Sequence, residues 1–598
     1  MLPYCSQSRF FKILWRLVEP LINGFALSAT VVFLSFMAVA TKSPEFGAIK
    51  SEALLTFLIL GLAVAAVFAA GGAVISRFRF RAVGQAPKRS FGAVPALFFL
   101  IITVFWPQSY GVFDGSEFIA DYSLAVWGSA LWPYAAALAL SLACVYFFAS
   151  WSRFISGIIL ASVLLFFVFT PVQNVEQKGS YKTSDSFKPL TDVNLLSKNK
   201  NIIIIVFDAL GGQVVNHILQ KNEMLKGRFK DFVFYPRAVS ISTKTSIAVP
   251  IIFNGVMPSM DGPYLDSTHF TKEGLQENSI LKYAEKHGYT QKLLVHAAYY
   301  PGYYGVSSGY DLNSLAAKPE SSYLATTFSI LLRCLARVLP VQLVAPIYNN
   351  PQMLHYNALE ALASKYPEKA YSILALPKLV HSLRAGQEEP VFLLTHTLLT
   401  HGPFVFNEEF QLTGRGDIIT DQEYGLRLAA DLIERLQEIN VYDDSLIIFC
   451  GDHGHDLEVP SLIAPSAYAE FYASLPAEYV KKGEATSTAI DFNPLLMIKY
   501  PQSITERLTV IDHNVSTTAL YDFLRQAITA TPESPLPFGA FDSVEAPIKV
   551  IIQHKDDYGG ISENQYQFNL LQLFEAPDGL DSIAKIVREI KPRGQTAK

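Results

Sequence analysis

Five apolar stretches, at about 20–41, 53–75, 91–106, 129–150 and 154–171, fill the first 171 residues and constrain this chain more than any other feature. A helix needs ~20 mostly apolar residues to cross a bilayer. The first, second and fourth stretches meet that length outright. The third has 16 residues before Trp106-Pro107 and needs local thinning or a re-entrant course. The first is not a signal peptide, because it lacks a small-residue cleavage site and further spans follow it. A mean hydropathy of +0.25 with 50% hydrophobic residues excludes a purely soluble enzyme and a disordered chain. Four cysteines in 598 residues exclude a disulfide-built mini-protein.

Lysine and arginine set the orientation. Arg9, Lys12 and Arg16 precede the first span; Arg77, Arg79, Arg81, Lys88 and Arg89 follow the second; Arg153 precedes the fifth. These belong in the cytoplasm. The loop at 107–123 has Asp114, Glu117 and Asp121 with no base and belongs outside. Five spans then place everything beyond about residue 172 outside the cytoplasm; a four-span bundle would reverse this. Residues 1–175 carry 11 Lys/Arg against 6 Asp/Glu, and the rest carry 37 against 47. The acidity of the larger part speaks against nucleic acid as a partner. Cys5 falls in the cytoplasm and Cys144 in a span. Cys334 and Cys450 sit in apolar runs and read as small buried hydrophobes, so no disulfide framework is expected.

The chain divides into an N-terminal helical transmembrane bundle at 1–171, a polar linker at 172–199 and an external domain at 200–598. Asn201–Phe207 is a continuous β-branched run, as in a strand buried on both faces. Ser445–Cys450 and Pro390–His396 read the same way, and helical spacing over Tyr424–Ile439 lies between such runs. The alternation predicts an α/β domain with a mainly parallel sheet. Ligands of such sheets bind beyond the carboxyl ends of the strands.

All three runs end in candidate ligands. Asp208 follows the first, Gly451-Asp452-His453-Gly454 the second, and Thr400-His401-Gly402-Pro403 the third. Taken singly, Asp208 reads as a helix N-cap, Asp452-His453 as turn residues and His401 as a loop histidine. Jointly they point to a metal, and carboxylates with imidazole and no Cys suit Zn²⁺ or Mn²⁺. Ser242-Thr-Lys-Thr-Ser246 offers hydroxyls ahead of an apolar segment. These form either an N-cap cluster or a nucleophile activated by a cation.

With these motifs in order, the chain resembles the alkaline phosphatase/sulfatase superfamily. The likeness is to the membrane branch of lipid A phosphoethanolamine transferases and lipoteichoic acid synthases, five spans followed by a sulfatase-like domain. The resemblance implies Thr245 as nucleophile, ten residues before Gly255, and Asp208, Thr245, Asp452 and His453 as metal ligands. It implies His401 at the transferred phosphate, with His396 five residues earlier and His455 beside the Asp-His pair. The run His287-Gly-Tyr-Thr290 with Gly309-Tyr-Asp311 also resembles the family pattern. The chain departs from phosphoethanolamine transferases in lacking their disulfides, in having Asp208 where they use Glu, and in reading Gly-Asp-His-Gly-His455-Asp456.

The resulting expectation is a bacterial inner-membrane enzyme working on the outer side. It would transfer a phosphoethanolamine or phosphoglycerol headgroup from a membrane phospholipid to an envelope glycan or lipid through phospho-Thr245. The rivals are a membrane-anchored phosphodiesterase or phosphatase and a non-catalytic envelope protein of the same fold. Sulfate-ester hydrolysis is disfavoured, because no Cys/Ser-x-Pro-x-Arg motif surrounds Thr245.

Overall fold

The structure is a computed structural model. Apart from a few positions inside these ranges, it describes residues 124–147, 192–258, 270–296, 302–315, 340–350, 355, 358–359, 361–363, 365–455, 457, 466–480, 487–543, 548–555 and 569–589. By internal contacts the chain forms two compact units. One comprises 1–180, 319–365 and 412–414, the other 181–318, 366–411 and 415–598. In the first unit the described N-terminal element is helix α1, Leu124–Phe147, which overlaps the expected span at 129–150. No helix among the described residues is long and apolar enough to cross a membrane. The other four expected spans lie outside the described residues.

The second unit is built on one eight-stranded sheet. Its strands are β1 Asn201–Phe207, β2 Val233–Phe234, β3 Thr290–Val295, β4 Tyr310–Asp311, β5 Val391–Thr397, β6 Ser445–Cys450, β7 Leu496–Lys499 and β8 Thr509–Val510. The spatial order is β8-β2-β7-β6-β1-β5-β3-β4. Only β7 runs against its neighbours; every other pair in this sheet is parallel. β1 lies at the centre, pairing with β5 and β6 along its length, and all seven of its residues are buried. A strand covered on both faces has no polar side to present, which is why Ile202–Phe207 is unbroken Ile, Val and Phe.

Helices cover the sheet. They include α2 Gly212–Lys221, α3 Thr245–Asn254, α4 Pro367–Ser382, α5 Ile418–Glu438 and α6 Ala519–Thr529. Ile202, Ile204 and Val206 of β1 share a core with Ala248, Val249 and Ile252 of α3 and Leu520 and Phe523 of α6. Helix α5 begins six residues before the expected Tyr424, because Asp417 caps it by accepting from the Ile419 and Thr420 amides. Within the stretch read as a linker, Leu195–Ser197 pairs in parallel with Arg384–Gln387. Cys450 is free and buried, and Cys334 lies outside the described residues.

Candidate metal site

β1, β5 and β6 run in register, so their carboxyl ends deliver side chains to one place. Asp208 leaves β1 and its amide donates to Thr397 O at 3.0 Å. Asp452 and His453 leave β6 between two glycines. A Cβ on Gly451 would lie 2.6 Å from Leu210 O, and one on Gly454 2.2 Å from Ile490 O. Any other residue at either position would push the Asp-His pair away from β1.

Asp208, Asp452 and His453 are buried and offer ligand atoms that all lie within 4.8 Å of one another. Asp208 Oδ1 and Asp452 Oδ2 have no hydrogen-bond partner. A buried carboxylate oxygen without a donor is costly, and a divalent cation is the partner that fits two carboxylates and an imidazole. The His453 ring agrees: Nδ1 donates to Gly454 O at 2.6 Å, which turns Nε2 towards the carboxylates. That Nε2 lies 3.5 Å from Asp452 Oδ2 and 3.8 Å from Asp208 Oδ1.

Thr245 stands at the first turn of α3. Its hydroxyl is 3.3 Å from His453 Nε2 and 3.5 Å from Asp208 Oδ2. It is not the helix cap. Lys244 holds that position without a side-chain bond, and Ser242 Oγ accepts from the Lys244 amide at 3.2 Å. The Thr245 hydroxyl is thus directed at the cluster, and Gly255 ends the helix in a left-handed conformation, φ 62°.

His396 is the sixth residue of β5 and is fully buried. Tyr304 OH meets its Nδ1 at 3.1 Å, and its Nε2 lies 3.4 Å from Asp208 Oδ2. Both ring nitrogens therefore face protein groups. His401 and His455 form a second pair, with ring centroids 5.8 Å apart, and Phe404 packs 5.1 Å from His455. His401 Nδ1 meets Gly402 O at 2.7 Å.

Burial opposes ionisation of Asp208, yet the His396 contact and the charges of His401, His396 and His453 outweigh it and hold the carboxyl well below the usual carboxylate range. Burial pushes the His453 imidazole down, and the Asp452 and Asp208 carboxylates more than offset this and raise it.

Several residues no motif announced complete the site. Ala209, the residue after Asp208, has φ 59°, a conformation that costs a residue with a Cβ. Its amide donates to Asp452 Oδ1 at 3.1 Å, and its carbonyl accepts from Gln422 Nε2 at 3.1 Å. Lys369 and Asp421 form a buried ion pair of 2.8 Å behind the His401 loop. Their nearest sequence signal is a polar run inside a helix, which reads as solvated surface.

The sulfatase family matches residues 200–524. No curated protein matches the chain. Among solved structures, the lipoteichoic acid synthase LtaP of Listeria monocytogenes is similar at 12% identity and TM-score 0.34, over 66% of this chain and 90% of that one. The phosphonate monoester hydrolase of Agrobacterium radiobacter aligns at 13% identity and TM-score 0.33, over 64% and 90%. An alkaline phosphatase superfamily protein of Vibrio parahaemolyticus aligns at 14% identity and TM-score 0.35, over 66% and 86%.

Proposed function

The chain belongs to the sulfatase family, and from that premise we propose that it transfers a phosphoryl headgroup from a membrane phospholipid to an acceptor hydroxyl, with Thr245 as nucleophile. The observation that carries this reading is the Thr245 hydroxyl, set 3.3 Å from His453 Nε2 and 3.5 Å from Asp208 Oδ2 at the start of a helix. Asp208, Asp452, His453 and the Thr245 oxygen are the groups that would hold the cation, Zn²⁺ or Mn²⁺. When bound, the cation supplies positive charge that lowers the proton affinity of the hydroxyl and favours the phosphoryl oxygens.

The remaining steps fall to the chain's own residues. Thr245 Oγ, its proton lost to solvent, attacks phosphorus. A threonine O–P bond forms as the bond to the glycerol oxygen breaks, and protonated His401 gives its Nε2 proton to the departing diacylglycerol. The amino end of α3 favours negative charge on the transferring group. In the second half an acceptor hydroxyl attacks the phospho-threonine, its proton passes to His401, and Thr245 Oγ leaves. His396 fixes Asp208 from behind, and His455 lines the His401 side. The donor headgroup is phosphoethanolamine or phosphoglycerol and the acceptor an envelope glycan or lipid. Its proposed location is the bacterial inner membrane with this domain outside, which rests on the five-span charge pattern of the sequence.

Full chain reconstituted with vesicles of fluorescent phosphatidylethanolamine, and separately phosphatidylglycerol, tests this. One of the two should release labelled diacylglycerol and leave its headgroup phosphate on Thr245, read by peptide mass spectrometry. Discharge of that adduct by water alone would make the protein a hydrolase. Neither product nor adduct would leave a non-catalytic envelope protein.

A further inference from the structure

Consecutive residues on the first turns of α5, Asp421 and Gln422, are both completely buried, and Lys369 of α4 joins them at 2% exposure. Burying such residues is costly unless their polar atoms have partners. Here the partners are two loops. Lys369 Nζ donates to Asp421 Oδ2 at 2.8 Å and to the carbonyl of His401. Asp421 Oδ1 accepts from the Val405 and Phe406 amides at 2.9 Å each. The stretch 401–406 is therefore gripped at both ends. Between the grips, Phe404 lies 5.7 Å under Lys369 Nζ and packs on His455.

The next residue serves the other loop. Gln422 Nε2 donates to Ala209 O at 3.1 Å, and Gln422 Oε1 accepts from the Gly211 amide at 3.2 Å. Thr400 Oγ1 donates to Asp208 O at 2.7 Å and ties the two loops together. We infer that Lys369, Asp421 and Gln422 are a positioning bracket, which sets His401 at a fixed place relative to Asp208 and Thr245. A buried ion pair is a poor source of stability compared with apolar residues of the same volume. Its use here is directional: one carboxylate and one ammonium between them fix a carbonyl and two amides of the loop that carries His401. The role rests on the proposed function only through the task given to His401.

Lys369→Met, His401→Gln and their combination decide it, in the full chain with bis(4-nitrophenyl) phosphate and added Mn²⁺. Each single change should lower kcat by about 10–100-fold, and the combination should be no worse than His401→Gln alone. Bound metal should stay at the wild-type level in all three. Because Lys369→Met strands the Asp421 charge, Lys369→Met with Asp421→Asn supplies a variant without a lone buried ion. It should fold and show the same loss. Multiplicative losses, or wild-type kcat in a folded Lys369→Met/Asp421→Asn chain, would overturn the bracket. A readout independent of turnover is the carbethoxylation of His401 by diethyl pyrocarbonate, followed by peptide mass spectrometry. It should quicken severalfold in Lys369→Met once the loop is released, and an unchanged rate would also sink the inference. If wild-type protein neither cleaves the diester nor releases diacylglycerol from the vesicles while that rate still responds, the proposed function falls and the bracket stands.

Discussion

The two edges of the central sheet are made of the same strands and treat buried polar groups in opposite ways. At the carboxyl edge, Asp208 Oδ1 and Asp452 Oδ2 have no hydrogen-bond donor, and Ala209 is held at φ 59°. At the amino edge, Lys499 Nζ donates to the carbonyls of Tyr442, Asp443 and Ser445. Lys292 Nζ is held by the carbonyls of Asp192 and Leu195. Asn201 bonds Ser197 in both directions and Ser445 through its amide. One edge leaves carboxylate oxygens for a cation; the other satisfies its donors with backbone. Stability and chemistry are thus divided along the strand axis, and a substitution should damage one or the other according to its edge.

The largest expected effect tests the carboxyl edge. Thr245→Ala removes a hydroxyl and leaves the apolar face of α3 intact. It should lower turnover by about 10³-fold or more, with thermal unfolding of the metal-free protein unchanged. Metal added to the wild type should raise the melting temperature, since a ligand that binds only the folded state stabilises it. In Asp452→Asn that rise should be largely lost. A Thr245→Ala protein that unfolds early would show that this edge also carries stability and would erase the contrast.

The amino edge should respond in the reverse sense. Lys499→Met leaves three carbonyls without their donor and should cost about 2–4 kcal/mol, with turnover per folded molecule preserved. The same lysine gives a pH signature. Burial pushes its ammonium down to about 8 against the pull of Asp443, Asp231 and Asp444, while the unfolded value is ~10.4. Below pH 8 both states hold the proton and the burial cost is constant. From pH 8 towards 10 the unfolded chain binds more protons, so stability should rise with pH, by on the order of 1–2 kcal/mol. Lys292, also pushed down to about 8 by burial, adds in the same direction. Above pH 10 the trend should reverse. Burial holds the Tyr235 and Tyr442 hydroxyls far above their ordinary range, and unfolded tyrosines ionise first. Urea unfolding across this range should show a flatter rise in Lys499→Met than in wild type.

The sequence disclosed the two edges unequally. β1 and β6 were legible to the residue, because the interior of a strand buried on both faces favours Ile, Val, Leu and Phe, and the Asp and His that follow the two strands stand out against that background. Thr245 was legible only as one of several hydroxyls in a row, until the resemblance selected it and the helix start directed it. The bracket was not legible. Lys369, Asp421 and Gln422 lie on two helices whose polar residues read as solvated, and Asp421 sits ahead of the helix expected from Tyr424. Their function arises from contacts across 52 positions of chain, which no local pattern encodes. The caged lysines of the amino edge were missed for the same reason, as their partners are main-chain carbonyls without sequence identity.

The smallest expected effect makes the finest test, at Ala209. Glycine enters φ 59° freely, so Ala209→Gly should recover about 1 kcal/mol of strain. It also gives the unfolded chain more freedom, at a cost of about 0.4–1 kcal/mol. The two terms nearly cancel, and urea unfolding should shift by less than about 0.5 kcal/mol. Turnover should still fall about twofold. The Ala209 amide and carbonyl hold Asp452 Oδ1 and Gln422 Nε2, and a glycine there lets the turn after Asp208 wander. Ala209→Val makes the opposite change. Its β-branched side chain resists the left-handed region more strongly, so stability should fall beyond the alanine level. If Ala209→Gly stabilised the protein by a full kcal/mol with turnover intact, the strain would be idle, and the carboxyl edge would differ from the amino edge only in its carboxylates.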